Sequence, residues 1–147
     1  MKIESERVYL DTSALVKLYV PESGSVLLEK ALLGRRDLFA SDLAVTELTS
    51  ATARRVREKD LSASHARLIY ERVLRDLGSG EFQKLDLTPQ AHRDAERLLM
   101  GIGRMTRLRA ADALHLALAS AAGCQVLITY DRQMRSAAEA LGTFEIP

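Results

Sequence analysis

Short aliphatic runs separated by longer helical patterns most restrict what this chain can fold into. Residues 7–10, 38–41, 84–87 and 125–130 read as buried strands, and residues 143–146 as a candidate fifth. Helical patterns fill the intervals: 13–19, closed by Pro21; 23–33, ended by Gly34; 43–59; 62–77, opened by Ser62; 89–100; 108–122; and 132–141. Thr88 and Pro89 supply an N-cap and a first-turn proline, whereas Gly78-Ser79-Gly80, Gly101, Gly103 and Gly123 are breakers. Strands that alternate with helices pair in parallel, because each return to the sheet needs a crossover. The expected fold is α/β, a central parallel sheet of four to five strands between helices, in one domain over residues 1–147.

Open parallel sheets bind ligands beyond the carboxyl ends of their strands, which makes the acids near those ends informative. Asp11 follows the first strand and Asp131 ends the fourth. Glu47 lies about one turn into the helix after the second strand, and Asp112 about one turn into the helix that leads to the fourth. All four are therefore expected at one rim. Like charges gathered there without cationic partners repel and lose hydration, a cost that a divalent cation offsets. Oxygen-only ligands favour a hard ion, Mg²⁺ or Mn²⁺.

Each acid has a plainer role as well. Asp11 and Asp131 suit helix N-caps. Asp112 suits a first helical turn, with Arg107 and Arg109 near enough in sequence to pair with it. Glu47 alone reads as a surface residue. Ser13 and Thr129 are placed to hydrogen-bond the carboxylates or metal-bound water, or to serve as ordinary cap and strand-end hydroxyls. His115, one turn after Asp112 on an apolar helix, is expected to be packed and satisfied rather than reactive, and His65 and His92 carry no signal.

Composition narrows the classes. A net charge of +1 argues against coating nucleic acid by bulk electrostatics, although arginines cluster at 54, 55 and 57 and at 104, 107 and 109. Either cluster taken alone reads as a solvated helix face. The single cysteine, Cys124, rules out an intrachain disulfide and reads as a small buried hydrophobe. No signal-peptide pattern or membrane-length apolar run is present, so a cytoplasmic protein is the expectation.

The segments carrying Tyr9-Leu-Asp-Thr-Ser-Ala-Leu, Glu47, Leu108-Arg-Ala-Ala-Asp-Ala-Leu-His and Leu127-Ile-Thr-Tyr-Asp resemble, in order and over nearly the whole chain, the PIN-domain ribonucleases, above all the VapC-type toxins. The resemblance implies a PIN-like fold and a Mg²⁺ or Mn²⁺ site of Asp11, Glu47, Asp112 and Asp131. It also implies an RNA substrate, a homodimer and a small VapB-like antitoxin whose tail blocks the acidic pocket. No core acid of that pattern is missing. Asp11 and Asp112 are the expected direct ligands, with Glu47 and Asp131 completing the pocket and Arg104, Arg107 and Arg109 guiding the RNA backbone. Three other readings stay open: an aspartyl-phosphate protein, a housekeeping PIN nuclease acting on RNA or DNA, and a PIN-like binding module without catalysis. Against the first, Ser13 stands where an Asp-x-Asp phosphatase signature needs its second acid.

Overall fold

A computed structural model describes residue 3 and residues 7–147. Its sheet consists of β1 (Val8–Leu10), β2 (Leu38–Ser41), β3 (Gln83–Leu85) and β4 (Val126–Ile128), all parallel, in the order β3-β2-β1-β4. The helices are α1 (Thr12–Tyr19), α2 (Ser25–Leu32), α3 (Asp42–Arg57), α4 (Ala63–Ser79), α5 (Pro89–Met100), α6 (Ala110–Ala121) and α7 (Arg132–Leu141), with one 3₁₀ turn at Ile102–Arg104. The chain builds outward from β1 through β2 to β3, then returns to lay β4 on the other side of β1. The strand order thus reverses between β1 and β4, the place where open α/β sheets bind ligands.

Both faces of the sheet are covered over β1, β2 and β4, so these strands are buried at successive positions rather than alternately, whereas the edge strand β3 exposes Gln83 and Lys84. Val8, Leu10, Val126 and Ile128 pack on one side with Leu15, Leu28 and Leu48 from α1, α2 and α3. Tyr9, Phe39 and Leu127 face the other side and meet Leu116 and Met134 from α6 and α7. In α5 and α6 the contact positions Ala95, Ala113 and Ala117 are small, which lets the two helices approach closely. Truncating a fully buried side chain such as Leu116 to Ala costs about 2–5 kcal/mol.

Two sequence expectations change. Residues 143–146 do not form a fifth strand: they give one parallel bridge, between Val126 and Glu145. Phe144 and Ile146, on either side of that bridge, instead hold the segment by packing against the apolar cluster under α6 and α7. The glycine-containing stretch after residue 77 belongs to α4, which continues through Ser79 and ends where Gly80 takes a left-handed cap at φ 85°. Cys124 is buried as expected, and burial pushes its thiol up to about 12.

Candidate active site

Beyond the carboxyl ends of β1 and β4 lies an open cavity of about 730 Å³, whose lining includes Asp11, Glu47, Asp112 and Asp131. Local structure explains the placement. Asp11 is the N-cap of α1 and accepts from the Ala14 N–H, and Asp131 is the N-cap of α7 and accepts from Gln133 and Met134. Asp112 sits in the first turn of α6 and accepts from the Arg109 backbone N–H. The capping roles are real, and they aim the positive ends of three helices at one space.

Asp11 is the most deeply set acid, 3% exposed. Its Oδ1 accepts from the Ser13 hydroxyl at 2.7 Å, and its Oδ2 from the Thr129 hydroxyl at 2.6 Å. The two hydroxyls in turn accept from the Tyr130 and Asp131 N–H groups, so the residues after β4 lock the acid after β1. Among the described residues no Lys or Arg forms an ion pair with Asp11. Burial pushes its carboxyl above the usual range, and the Thr129, Ser13 and Ala14 donors only partly offset that.

Glu47 is held differently. Its Oε2 accepts from Thr12 Oγ1 at 2.5 Å and lies 2.7 Å from His115 Nε2. His115 Nδ1 is 2.7 Å from the Tyr9 hydroxyl, which donates to Ser41 Oγ at 2.9 Å. A buried polar chain therefore runs from the end of β2 through β1 and α6 to Glu47. Burial works to raise the Glu47 carboxyl, but the His115 and Thr12 hydrogen bonds outweigh it and the net shift is downward.

Asp112 and Asp131 share one arginine, Arg109, one of the two that the sequence offered as partners of Asp112. Arg109 Nε donates to Asp112 Oδ2 at 2.9 Å, and its Nη2 reaches Asp112 Oδ1 at 3.1 Å and Asp131 Oδ2 at 2.7 Å. For Asp131, burial raises the carboxyl, but the Arg109 hydrogen bond and the helix N–H groups bring it below its ordinary value. The same two acids raise the Arg109 guanidinium further above its already high range. With each acid already engaged, no three His, Cys, Asp or Glu side chains among the described residues stand as a ready-made ligand cluster.

Arg104 and Arg107 are exposed and stand outside the cavity lining, whereas Arg54 and Arg57 of α3 belong to it. Tyr130, 43% exposed, stands at the same cavity with the Lys17 ammonium 4.5 Å from its ring centre. Sequence reasoning passed over Tyr9, Thr12 and the contact of His115 with Glu47, and it read the cluster holding Arg54 and Arg57 as a solvated helix face. His115 is packed and satisfied as expected, and it also lines the site. Its spacing of three residues from Asp112, which puts both on one helix face, was the available signal.

A family model described as PIN domain matches residues 8–140. The chain is 35% identical over 137 residues to Ribonuclease VapC45 of Mycobacterium tuberculosis, covering 92% of this chain and 91% of that protein. It is 36% identical over 139 residues to Ribonuclease VapC46 of the same species, covering 92% of each. Among solved structures it superposes on M. tuberculosis VapC20, titled a sarcin-ricin loop cleaving toxin, with a TM-score of 0.71. That match has 15% identity and covers 88% of this chain and 94% of the other, a likeness of fold alone.

Proposed function

The chain belongs to the PIN-domain family, in its VapC branch, and on that premise we propose that it is a divalent-metal-dependent endoribonuclease, the toxin of a type II toxin–antitoxin pair. The observation that carries the reading is the gathering of Asp11, Glu47, Asp112 and Asp131 on one cavity at the point where the strand order reverses. The donor set fits the ion: all four side chains offer hard oxygen ligands, and Asp11 is a buried carboxylate whose charge lacks a salt-bridge partner among the described residues.

When bound, Mg²⁺ or Mn²⁺ supplies an acidified water as nucleophile and positive charge for the phosphate and leaving oxygen. Asp11 and Asp112 would hold the ion directly. Ser13 and Thr129 fix the Asp11 carboxylate so that it does not have to reorganise. Glu47 completes the pocket with Asp131. Its Oε2 is tied to Thr12 and His115, and its Oε1, without a described hydrogen bond, would be the oxygen left to take a proton from water. Arg54 and Arg57 steer the RNA backbone toward the acidic floor, a role the sequence had suggested for Arg104, Arg107 and Arg109. Tyr130 offers a ring against which an unpaired base stacks.

A VapB-like antitoxin fits the same cavity, because a basic side chain on its tail would meet the four acids. Homodimerisation and a cytoplasmic location follow from family membership as parts of this proposal. No described helix is long and apolar enough to cross a membrane.

The test is to express the wild type and Asp11→Asn in cells and map new RNA 5′ ends, with purified protein assayed beside them in Mg²⁺, Mn²⁺ or chelator. Growth arrest and discrete cuts from the wild type alone are expected. Equal effects from both proteins would overturn the role of Asp11, and cleavage that survives chelation would overturn the metal.

A further inference from the structure

Arg109 occupies the oxygens that the proposed ion needs. Asp112 and Asp131 each have one carboxylate oxygen anchored by backbone, and both bond the Arg109 side chain. Asp112 Oδ2 accepts from the Arg109 backbone N–H and also from Arg109 Nε at 2.9 Å, and Asp131 Oδ1 accepts from Gln133 and Met134 at the start of α7. The remaining oxygens, Asp112 Oδ1 and Asp131 Oδ2, both bond the same atom, Arg109 Nη2, at 3.1 and 2.7 Å. If that nitrogen leaves, both carboxylates stay oriented by their helix ends and each presents a free oxygen to the cavity.

The Arg109 side chain is held by hydrogen bonds and not by enclosure. It is 57% exposed, whereas the Asp112 side chain beneath it is 7% exposed. The arginine therefore lies over the acid rather than being enclosed with it, and its departure breaks hydrogen bonds without opening a packing void.

We propose that Arg109 is a built-in counter-cation, which offsets one of the two negative charges of Asp112 and Asp131 in the metal-free protein and must be displaced by a divalent ion entering the site. This rests on the metal-dependent reading above. Two effects act in one direction. The guanidinium competes for the ligand oxygens, and its charge lowers the negative potential that attracts the ion. The device keeps the metal-free protein from holding an uncompensated acidic pair and sets a threshold concentration for metal loading.

The test is a Mn²⁺ titration of metal-stripped full chain by calorimetry and by loss of the free Mn²⁺ paramagnetic resonance signal, on wild type, Arg109→Ala and Arg109→Lys. Arg109→Ala is expected to bind Mn²⁺ tighter by on the order of tenfold. It should also melt lower than wild type without metal, with a larger rise in melting temperature on adding Mn²⁺. Arg109→Lys keeps the charge without the planar fork and should fall between the two. Unchanged or weaker binding by Arg109→Ala would overturn the proposal while leaving the metal site standing. If Mn²⁺ binds to none of the three, both this proposal and the metal-dependent reading fail. Should Arg109→Ala not fold, Arg109→Lys decides: tighter binding than wild type supports displacement, and equal or weaker binding refutes it.

Discussion

The two walls of the cavity solve the same electrostatic problem in opposite ways. Asp11 is buried and held by neutral hydroxyls, and its carboxyl is pushed above its ordinary range. Asp131 is about one-third exposed, shares Arg109 with Asp112, and is shifted down. Neutral donors orient a carboxylate without cancelling its charge, so the Asp11 wall keeps its demand for a cation. The Asp131 wall meets that demand internally. On the proposed reading, such a site would recruit an ion through Asp11 and regulate its access through the Arg109 bridge.

Removing the deep acid is expected to have the largest effect. Asp11→Asn retains a capping side chain for α1 but loses the charge, and RNA cleavage should fall by more than ~10²-fold, the upper end of what is lost when only an orienting partner is removed. A residual rate near wild type would break the contrast between the walls.

The supports should cost less. Thr129→Val removes the hydroxyl that donates to Asp11 Oδ2 while keeping the shape, and His115→Asn breaks the chain from Tyr9 to Glu47. Each is expected to lower kcat by ~10-fold or more with little change in fold, as read by single-turnover cleavage and circular dichroism. A Thr129→Val enzyme with unaltered kcat would mean that Asp11 needs no fixing.

The walls should also part company with pH in the metal-free protein. Asp11 has a folded pKa above its unfolded value, so it binds more protons when folded, and stability from this group rises as pH falls through the folded pKa toward the ordinary range. Glu47 and Asp131 are shifted down. Their stabilisation is full above the ordinary carboxyl pKa and is lost as pH falls through their folded values. Melting temperature measured against pH should therefore climb from neutral into mild acid and then drop. In Asp11→Asn the first rise should be absent and the protein should be more stable than wild type at neutral pH, as expected where function keeps a buried charge at the expense of stability. A climb retained in Asp11→Asn would assign it to another group.

Asp131→Asn should give the smallest effect on stability. It keeps an N-cap for α7 and loses only the ionic part of a half-exposed contact with Arg109, so less than ~1 kcal/mol is expected in denaturant melts. A larger loss would show that the bridge matters to the fold.

The sequence made the acids legible because they occupy the positions that helix ends require. Asp11 and Asp131 follow strands and cap helices, and Asp112 stands in a first helical turn. Arg109 was legible as a nearby charge but not as a bridge, since a flexible side chain can reach outward to RNA or inward to acids from the same backbone position. Its bond to Asp131 spans 22 residues of chain. His115 read as a packed histidine, which it is. Nothing local indicated that Tyr9, 106 residues earlier, and Glu47 would meet its two nitrogens.

By itself the sequence determined the alternation of strands and helices, hence a parallel sheet, and the placement of four acids at strand ends and helix starts. Both follow from hydrophobic period, caps and breakers, which act over a few residues. Only the tertiary structure decided which side of β1 receives β4, which arginines face the cavity, and which donors hold each carboxylate. Those outcomes depend on side chains distant in the chain meeting in space, where burial and charge set their energies and no local pattern records them.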